Sequence, residues 1–170
     1  MQAPENAQEP AVEHVVSLIS LLASRGLTVA VAESLTGGLV VAELTMTAGA
    51  SAVVRGGVVA YATQLKHELL GVDAQLLAEV GPVHADVAGQ MAAGVAARLG
   101  ATIGLSTTGV AGPDPQGEHA VGEVFVGLAV AGNITTHKLA LSGSREQIRR
   151  STVEACLGLL SEAVETLTQP

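Results

Sequence analysis

Short apolar runs alternate with longer stretches of helical spacing along this 170-residue chain, and this alternation constrains its fold more than any other feature. Residues 28–32 and 101–107 are typical of buried strands, and the stretches between such runs place apolar residues on one helical face. The triplet Ala131-Gly132-Asn133 between two later apolar runs indicates a β-hairpin. The pattern predicts an α/β fold: a three-layer α/β/α sandwich with a mixed sheet and a late antiparallel hairpin.

The predicted elements fill a single domain, because 170 residues suit one core and the sequence has no internal repeat. Strands are predicted at residues 28–32, 57–61, 101–107, 123–130 and 134–141. Helices are predicted at residues 12–22, 65–70, 73–80 and 84–99. A further helix is predicted between the ESLTGG segment at residues 33–38 and about residue 46, and the last one begins after the N-cap Ser144. Residues 1–10 are polar with two prolines and are predicted to form a flexible N-terminal tail, which leaves residues 11–170 as the domain.

Charge and composition exclude several classes of partner. The chain has 8 Lys and Arg residues against 16 Asp and Glu residues, a net charge of −8, so it is a poor binder of nucleic acid. With one tyrosine and one phenylalanine, it lacks aromatic platforms for stacking single strands. No apolar run reaches the roughly 18 residues of a membrane helix, and acidic residues precede the first basic one, Arg25, unlike in a secretory signal. We therefore expect a cytoplasmic protein with no nucleic-acid or membrane partner.

Several familiar catalytic motifs are absent from the sequence. Cys156 is the only cysteine, which excludes an intramolecular disulfide and a thiolate metal cluster. The five histidines form no His-Glu-x-x-His motif, and no Gly-x-Gly-x-x-Gly, P-loop or Gly-x-Ser-x-Gly motif occurs. The sequence therefore predicts no metal site and no cofactor.

Residues 33–38, with the sequence ESLTGG, are the first of three polar, glycine-bearing segments placed after predicted strands. Their small side chains expose backbone N–H groups at the start of a helix, where an anion is favoured. The simpler interpretation is a capping turn with Thr36 or Ser34 as the N-cap. Local sequence leaves both interpretations open.

The second segment brings Ser51, in the string AGAS of residues 48–51, near Tyr61 and Lys66. A desolvated lysine loses its charge more readily, and it then serves as general base for a serine where no histidine is at hand. Tyr61 would position the lysine or relay the proton. The commoner arrangement is a solvated lysine on a short helix and a tyrosine in the core, and local sequence alone favours that arrangement.

The third segment, residues 106–114, lies at the end of a predicted buried strand, where ligands bind in open α/β sheets. Arg145, Arg149 and Arg150 at the start of the last helix could reach a phosphate with their forked donors. The commoner role of such arginines is a surface salt bridge with neighbouring glutamates.

Six strings carry a resemblance in this order: VAESLTGG at 31–38, AGASA at 48–52, GVVAY at 57–61 with Lys66, TGVAGP at 108–113, VGEV at 121–124, and SGSR at 142–145 with Arg149 and Arg150. Together they resemble the C-terminal domain of the competence/damage-inducible CinA family, over about residues 12–167. The stand-alone members of that family are nicotinamide mononucleotide deamidases. Strings in register over nearly the whole chain make this resemblance specific.

The resemblance implies hydrolysis of the carboxamide of nicotinamide mononucleotide to the acid, with release of ammonia, by a serine and a lysine without metal or cofactor. Ser51 is implied as the nucleophile and Lys66 as its base, with Tyr61 and Ser34 lining the site, and Ser34 as nucleophile is the open alternative. N–H groups of the turns near Gly37 or Gly109 would hold the oxyanion. The family also implies a homodimer or higher homo-oligomer. Substrate contacts are implied at Thr36, Gly37, Gly38, Thr108, Gly109, Gly112 and Arg145.

Three departures from the usual family pattern bear on this activity. Thr63 stands where the family has an asparagine before the lysine, residues 114–117 (DPQG) replace a Gly-Gly pair, and residues 119–120 (HA) replace Lys-Pro. The first concerns the position of Lys66, and the others alter a loop that would border the substrate. Two other functions stay open: a non-catalytic nucleotide-binding module with a competence or DNA-damage role, and a partner in DNA uptake or repair.

Overall fold

The computed structural model describes residues 9–167, which contain five strands and six α-helices. The predicted tail, residues 1–10, lies outside the described residues except for its last two, which begin the first helix. None of the helices in the described range is both long enough and apolar enough to span a bilayer. The elements in chain order are α1 (Glu9–Ser24), β1 (Val29–Glu33), α2 (Leu39–Thr45), β2 (Val54–Val59), α3 (Thr63–Leu70), α4 (Ala74–Val80), α5 (Ala85–Leu99), β3 (Ile103–Gly109), β4 (Glu123–Val130), β5 (Asn133–Ala140) and α6 (Arg145–Thr166).

The five strands form one mixed sheet in the order β2-β1-β3-β4-β5. β1 runs parallel to both β2 and β3, whereas β4 and β5 continue the sheet in antiparallel pairs. Ala131 and Gly132 join β4 to β5 at the end of the sheet where β1 and β3 begin, because Val130 pairs with Ile103. The predicted mixed sheet and late antiparallel hairpin are therefore confirmed.

Helices cover both faces of the sheet, as the predicted sandwich requires. On one face, α1, α2 and α6 bury Leu22, Leu44 and Leu160 in the larger apolar cluster. On the other face, α3, α4 and α5 bury a second cluster around Met91 and Val95. All five residues of β1 are buried, because this strand is covered on both faces as parallel strands usually are.

Two glycines set how closely α5 approaches its neighbours. A Cβ on Gly94 would lie 1.9 Å from the carbonyl oxygen of Leu70 in α3. A Cβ on Gly104 of β3 would lie 1.9 Å from the carbonyl oxygen of Ala92 in α5. Neither position has room for a side chain, so the second layer depends on these glycines for its close contact with the sheet.

β2 begins three residues earlier than the predicted strand at residues 57–61 and ends two residues earlier, at Val59. Arg55 and Gly56 are typical of a loop, but the strand pairs along β1 from Val54 onward, and these tertiary hydrogen bonds override local preference. As a result, Tyr61 lies beyond the strand, at the end of the sheet where β1 and β3 also finish.

The start of α6 follows the prediction closely. Ser144 is the N-cap, its hydroxyl accepts from the backbone N–H of Gln147, and the Gln147 side chain accepts from the backbone N–H of Ser144. This reciprocal capping box fixes the first turn of the helix. It thereby fixes the direction in which Arg145 and Arg149 leave the helix.

Candidate functional site

A cavity of about 350 Å³ opens at the end of the sheet where β1, β2 and β3 finish. Such ends of parallel strands are where α/β proteins place their ligands, since the loops that follow several strands meet there. The cavity is lined by Ser34, Leu35, Tyr61, Thr63, Lys66, Pro82, Val83, Thr108, Gly109, Val110, Ala111, Gly112, Asp114, Pro115, Gln116 and Arg145.

Lys66 on α3 lines this cavity and is only 1% exposed. Its Nζ atom donates to the hydroxyl of Ser34 at 3.1 Å and to the carbonyl oxygen of Ala60 at 2.7 Å. Burial disfavours the ammonium form and lowers the pKa of Lys66 to about 8. About a tenth of the lysines are therefore neutral at pH 7, which makes this amine a usable base. The solvated lysine that local sequence favours is not what the structure contains.

Ser34 is the first residue after β1, and the sheet itself holds it in place. Its backbone N–H donates to the carbonyl oxygen of Thr107 on β3 at 3.1 Å, and its own carbonyl accepts from the N–H of Gly37 at 3.1 Å. The side chain is nearly buried, with 9% exposed, and its hydroxyl lies at the Lys66 amine. The serine in contact with the lysine is therefore Ser34.

Glu33, the last residue of β1, closes the start of α2. Its fully buried carboxylate accepts from the backbone N–H groups of Gly38, Val40 and Val41 at 2.9, 3.1 and 2.9 Å. A negative group at a helix N-terminus satisfies unpaired donors and complements the helix dipole. The N-cap residue is Gly38, where the sequence suggested Thr36 or Ser34, and the Glu33 carboxylate binds these N–H groups so that they are not free for a ligand anion.

Thr36, Gly37 and Gly38 build the turn around Ser34 and are absent from the cavity lining. Thr36 is fully buried, and its hydroxyl lies 2.8 Å from the hydroxyl of Thr107. Gly37 and Gly38 have φ angles of 60° and 104°, a conformation that glycine adopts at little cost. These three residues therefore shape the turn, the N–H of Gly37 is already bound to the carbonyl of Ser34, and the implied substrate contacts at these positions stay a prediction.

Ser51 lies far from the cavity and cannot pair with Lys66. It is exposed and sits in a short 3-10 helix, Ala50–Ala52, just before β2. Lys66 comes after β2, so the six residues of that strand, a span of about 20 Å, separate Ser51 from the cavity end of the sheet. Within a single chain, Ser51 therefore does not reach Lys66, and the implied role of Ser51 as nucleophile stays a prediction that this geometry does not support.

Tyr61 and Arg145 together form one wall of the cavity. One terminal nitrogen of Arg145 donates to the Tyr61 hydroxyl at 3.1 Å, and the other donates to the carbonyl oxygen of Gly112 at 2.7 Å. Tyr61 is 60% exposed, so it is not the core residue that local sequence favoured. This contact joins the segment after β2, the segment after β3 and the start of α6.

The segment after β3 supplies another wall. The Thr108 hydroxyl donates to the carbonyl oxygen of Pro82 at 2.6 Å, which ties β3 to the loop before α5. Gly109 and Gly112 also line the cavity, and the substrate contacts that the resemblance implied for them stay a prediction. The loop that departs from the family pattern contributes Asp114 and Gln116, so it does border the cavity.

Arg149, for which the sequence suggested a phosphate contact or a surface salt bridge, instead binds the turn that carries Ser34. Its Nε and one terminal nitrogen donate to the carbonyl oxygens of Leu35 and Thr36 at 2.9 and 3.0 Å. Arg150, by contrast, is exposed and donates to Glu146 at 3.1 Å. The spacing of Arg145 and Arg149, four residues apart, was the available signal, since such residues share a helix face.

Within residues 9–167, no group of three or more His, Cys, Asp or Glu side chains is arranged to hold a metal ion. Cys156 is fully buried in the larger apolar cluster, and burial raises the pKa of its thiol. The polar chemistry of the cavity therefore centres on the contact between Ser34 and Lys66.

Comparison with known proteins agrees with this architecture. Residues 11–164 match the CinA C-terminal domain family. The chain belongs to this family. A CinA-like protein of Frankia casuarinae is 50% identical over 143 residues, which cover 84% of this chain and 33% of that protein. A putative competence-damage inducible protein of Geobacillus kaustophilus is 48% identical over 141 residues, covering 82% of this chain and 34% of its own.

CinA proteins of known structure share the fold over their full length. A competence/damage inducible protein of Agrobacterium tumefaciens is 34% identical with a TM-score of 0.88, covering 98% of this chain and 100% of that one. A CinA superfamily protein of Klebsiella pneumoniae is 29% identical with a TM-score of 0.87, covering 91% and 98%. The curated relatives are longer, and this chain spans about a third of their length. Their names describe competence and damage induction rather than a reaction.

Proposed function

We propose that this CinA-family domain hydrolyses the carboxamide of nicotinamide mononucleotide, giving nicotinic acid mononucleotide and ammonia, with Ser34 as nucleophile and Lys66 as base. The observation that carries the proposal is the 3.1 Å contact between Lys66 Nζ and Ser34 Oγ at the floor of the cavity. A serine becomes a nucleophile only when an adjacent base accepts its proton, and a lysine whose pKa is about 8 is such a base.

In the first half of the reaction, neutral Lys66 accepts the proton of the Ser34 hydroxyl while the serine oxygen bonds to the carboxamide carbon. The electron pair of the carbonyl bond moves to its oxygen, which becomes an oxyanion. When the tetrahedral intermediate collapses, the Lys66 ammonium returns the proton to the departing nitrogen. The carbon–nitrogen bond breaks, ammonia leaves, and the acid remains as an ester of Ser34.

In the second half, water attacks the ester and Lys66 accepts a proton from it. The second tetrahedral intermediate collapses by breaking the bond to Ser34, and Lys66 returns the proton to the serine oxygen. The products are the carboxylic acid and the free serine. The same amine thus acts alternately as base and acid, which requires a pKa near the working pH.

Arg145 is the proposed contact for the substrate phosphate. It lines the cavity, and it forms no ion pair with any carboxylate of the described residues. Its two bonds to neutral oxygens, those of Gly112 and Tyr61, leave donors of the guanidinium fork and its full charge available. Tyr61 and Thr108 would complete the walls around the nucleotide.

The decisive experiment is single-turnover release of ammonia from nicotinamide mononucleotide. Ser34→Ala and Lys66→Arg should each reduce turnover by roughly 1,000-fold or more, and the double variant should be hardly worse, because the two residues act as a unit. Ser51→Ala is the matched control and should keep native turnover, since that serine lies outside the cavity.

Two other outcomes would redirect the proposal. If the purified protein binds the nucleotide but releases no ammonia, the domain is a nucleotide-binding module. If Ser51→Ala is inactive while Ser34→Ala is active, the assignment of the nucleophile is wrong. Treatment with a chelator should leave turnover unchanged, because no step described above uses a metal.

A further inference from the structure

Hydrogen bonds pair several backbone groups of the turn that carries Ser34. The N–H groups of Ser34 and Gly37 donate to Thr107 and to Ser34 itself, and the N–H of Gly38 donates to the Glu33 carboxylate. The N–H groups of Leu35 and Thr36, however, have no acceptor among residues 9–167, and of these two residues only Leu35 lines the cavity. Buried N–H groups are almost always paired, so an unpaired one beside a cavity points to a ligand atom as its partner.

The surroundings of Leu35 indicate where this N–H points. The Leu35 side chain packs into a buried cluster with Ala111 and Ile148, and its carbonyl oxygen accepts from Arg149. The residue is only 4% exposed, yet it lines the cavity. With the side chain packed in this cluster and the carbonyl bound by Arg149, the backbone N–H is the polar group of Leu35 that is available to a ligand.

We propose that the Leu35 N–H is the oxyanion-hole donor of this site, and that Arg149 is a positioning residue that holds it toward the cavity. The inference rests on the proposed function, in which Ser34 attacks an amide. When Ser34 bonds to the carboxamide carbon, the adjacent carbonyl oxygen gains the negative charge beside the N–H of the next residue. A fixed N–H at that place stabilises the charge as it forms.

Arg149 fixes this N–H through the peptide units on each side of Leu35. The first unit is held because the Ser34 carbonyl accepts from Gly37 at 3.1 Å. The second is held because the Leu35 carbonyl accepts from Arg149 at 2.9 Å, and the same guanidinium binds the Thr36 carbonyl at 3.0 Å. With both units fixed, Leu35 cannot rotate its N–H out of the cavity.

The test compares Arg149→Ala with Arg150→Ala, the adjacent arginine that binds only Glu146 on the helix surface. For Arg149→Ala we expect a fall in kcat of roughly 10- to 100-fold with KM unchanged, since the oxyanion exists only in the transition state. Added guanidinium ion should restore part of the lost kcat. Arg150→Ala should match the native protein in both constants.

A second measurement tests whether the Leu35 N–H stabilises an oxyanion, and it does not use the proposed substrate. The probe is 3-(trifluoroacetyl)pyridine, whose ketone carbon bonds to the Ser34 oxygen while the serine proton moves to Lys66 and the ketone oxygen becomes an oxyanion. Fluorine NMR measures the affinity for this adduct. For Arg149→Ala, the affinity should fall by the same factor as kcat, and for Arg150→Ala it should not fall. If the native protein forms the adduct but releases no ammonia from the nucleotide, the proposed function fails while the oxyanion hole stands.

The proposal is overturned if Arg149→Ala keeps native adduct affinity, if both variants lose it equally, or if KM rises with kcat unchanged. Arg149→Lys covers the outcome in which the alanine variant does not fold, because it keeps the charge and one donor. It should fold and show an intermediate loss of kcat. If it also fails to fold, Arg149 is a stability residue and the positioning role is rejected.

Discussion

Lys66 combines two properties that conflict in most lysines: it carries an ionisable amine, and it is 1% exposed. Only two hydrogen-bond acceptors surround the amine, the hydroxyl of Ser34 and the carbonyl of Ala60, and neither carries a charge. Desolvation therefore outweighs the gain from these bonds, and the pKa falls to about 8. The same burial that lowers the pKa of Lys66 makes the residue costly to stability.

The first prediction concerns the pH dependence of the proposed hydrolysis. Because neutral Lys66 is the active base, kcat/KM should rise about tenfold per pH unit below pH 8 and level off above it, following the pKa of about 8. The measurement is initial ammonia release between pH 6 and pH 10, at a fixed ionic strength. A flat profile across this range would contradict the role of Lys66 as base.

The second prediction is that Lys66→Met removes activity and raises stability. The unfolded lysine keeps a pKa near 10.5, so the unfolded state binds more protons than the folded state between pH 8 and pH 10.5. Native stability should therefore rise with pH in that window, and the penalty below pH 8 is about 3 kcal/mol. Urea unfolding should show the methionine variant more stable at pH 7, with the advantage shrinking toward pH 10.5. An advantage independent of pH would show that packing, not charge, is responsible.

The contact between Lys66 and Ser34 shows what the sequence could not decide. Residue types and spacing led to a lysine base and two candidate serines, Ser34 and Ser51. Both serines lie in glycine-bearing strings, but one follows β1 and the other precedes β2. Only the parallel pairing of these strands places the first at the cavity and the second at the opposite end of the sheet. The choice depends on a tertiary contact that has no local signal.

The end of α5, the start of α6 and the hairpin were the most predictable features, because their signals are local. The capping box at Ser144, the stop at Gly100 and the hairpin around Gly132 each lie where short-range rules place them. The start of β2 at Val54 was missed because its pairing partner is remote in sequence. The sequence placed Glu33 in a motif but did not predict that its carboxylate binds the start of α2, because those bonds form only when the turn folds back on itself.

The third prediction compares two glycines in the middle of helices. Gly94→Ala in α5 should destabilise the protein by about 1–3 kcal/mol or more, because its Cβ would meet the Leu70 carbonyl at 1.9 Å. Gly158→Ala in α6 meets nothing within 4 Å and should stabilise by about 0.5–1 kcal/mol, as alanine favours helix. Thermal and urea unfolding of both variants measure the difference. Equal effects would mean that α5 shifts freely on the sheet.

For the molecule as a whole, a net charge of −8 bears on the names of its relatives, which refer to competence and DNA damage. The fourth prediction is that the purified chain does not bind duplex DNA at physiological salt, because a chain with this net negative charge is repelled by the phosphates. Fluorescence anisotropy of a labelled duplex tests this expectation. Binding that weakens steeply with added salt would contradict it. The homo-oligomer that the resemblance implied likewise stays a prediction, to be measured by light scattering.

The hairpin turn at Ala131 and Gly132 lies at the end of the sheet opposite the cavity, with the length of β3 and β4 between them. That separation makes the turn an attachment site remote from the cavity. A fluorophore or an affinity peptide placed in this turn would be carried by the strand pair without touching the walls that surround Ser34. The protein can thus be immobilised or followed by its light emission while the proposed hydrolysis at the other end is measured.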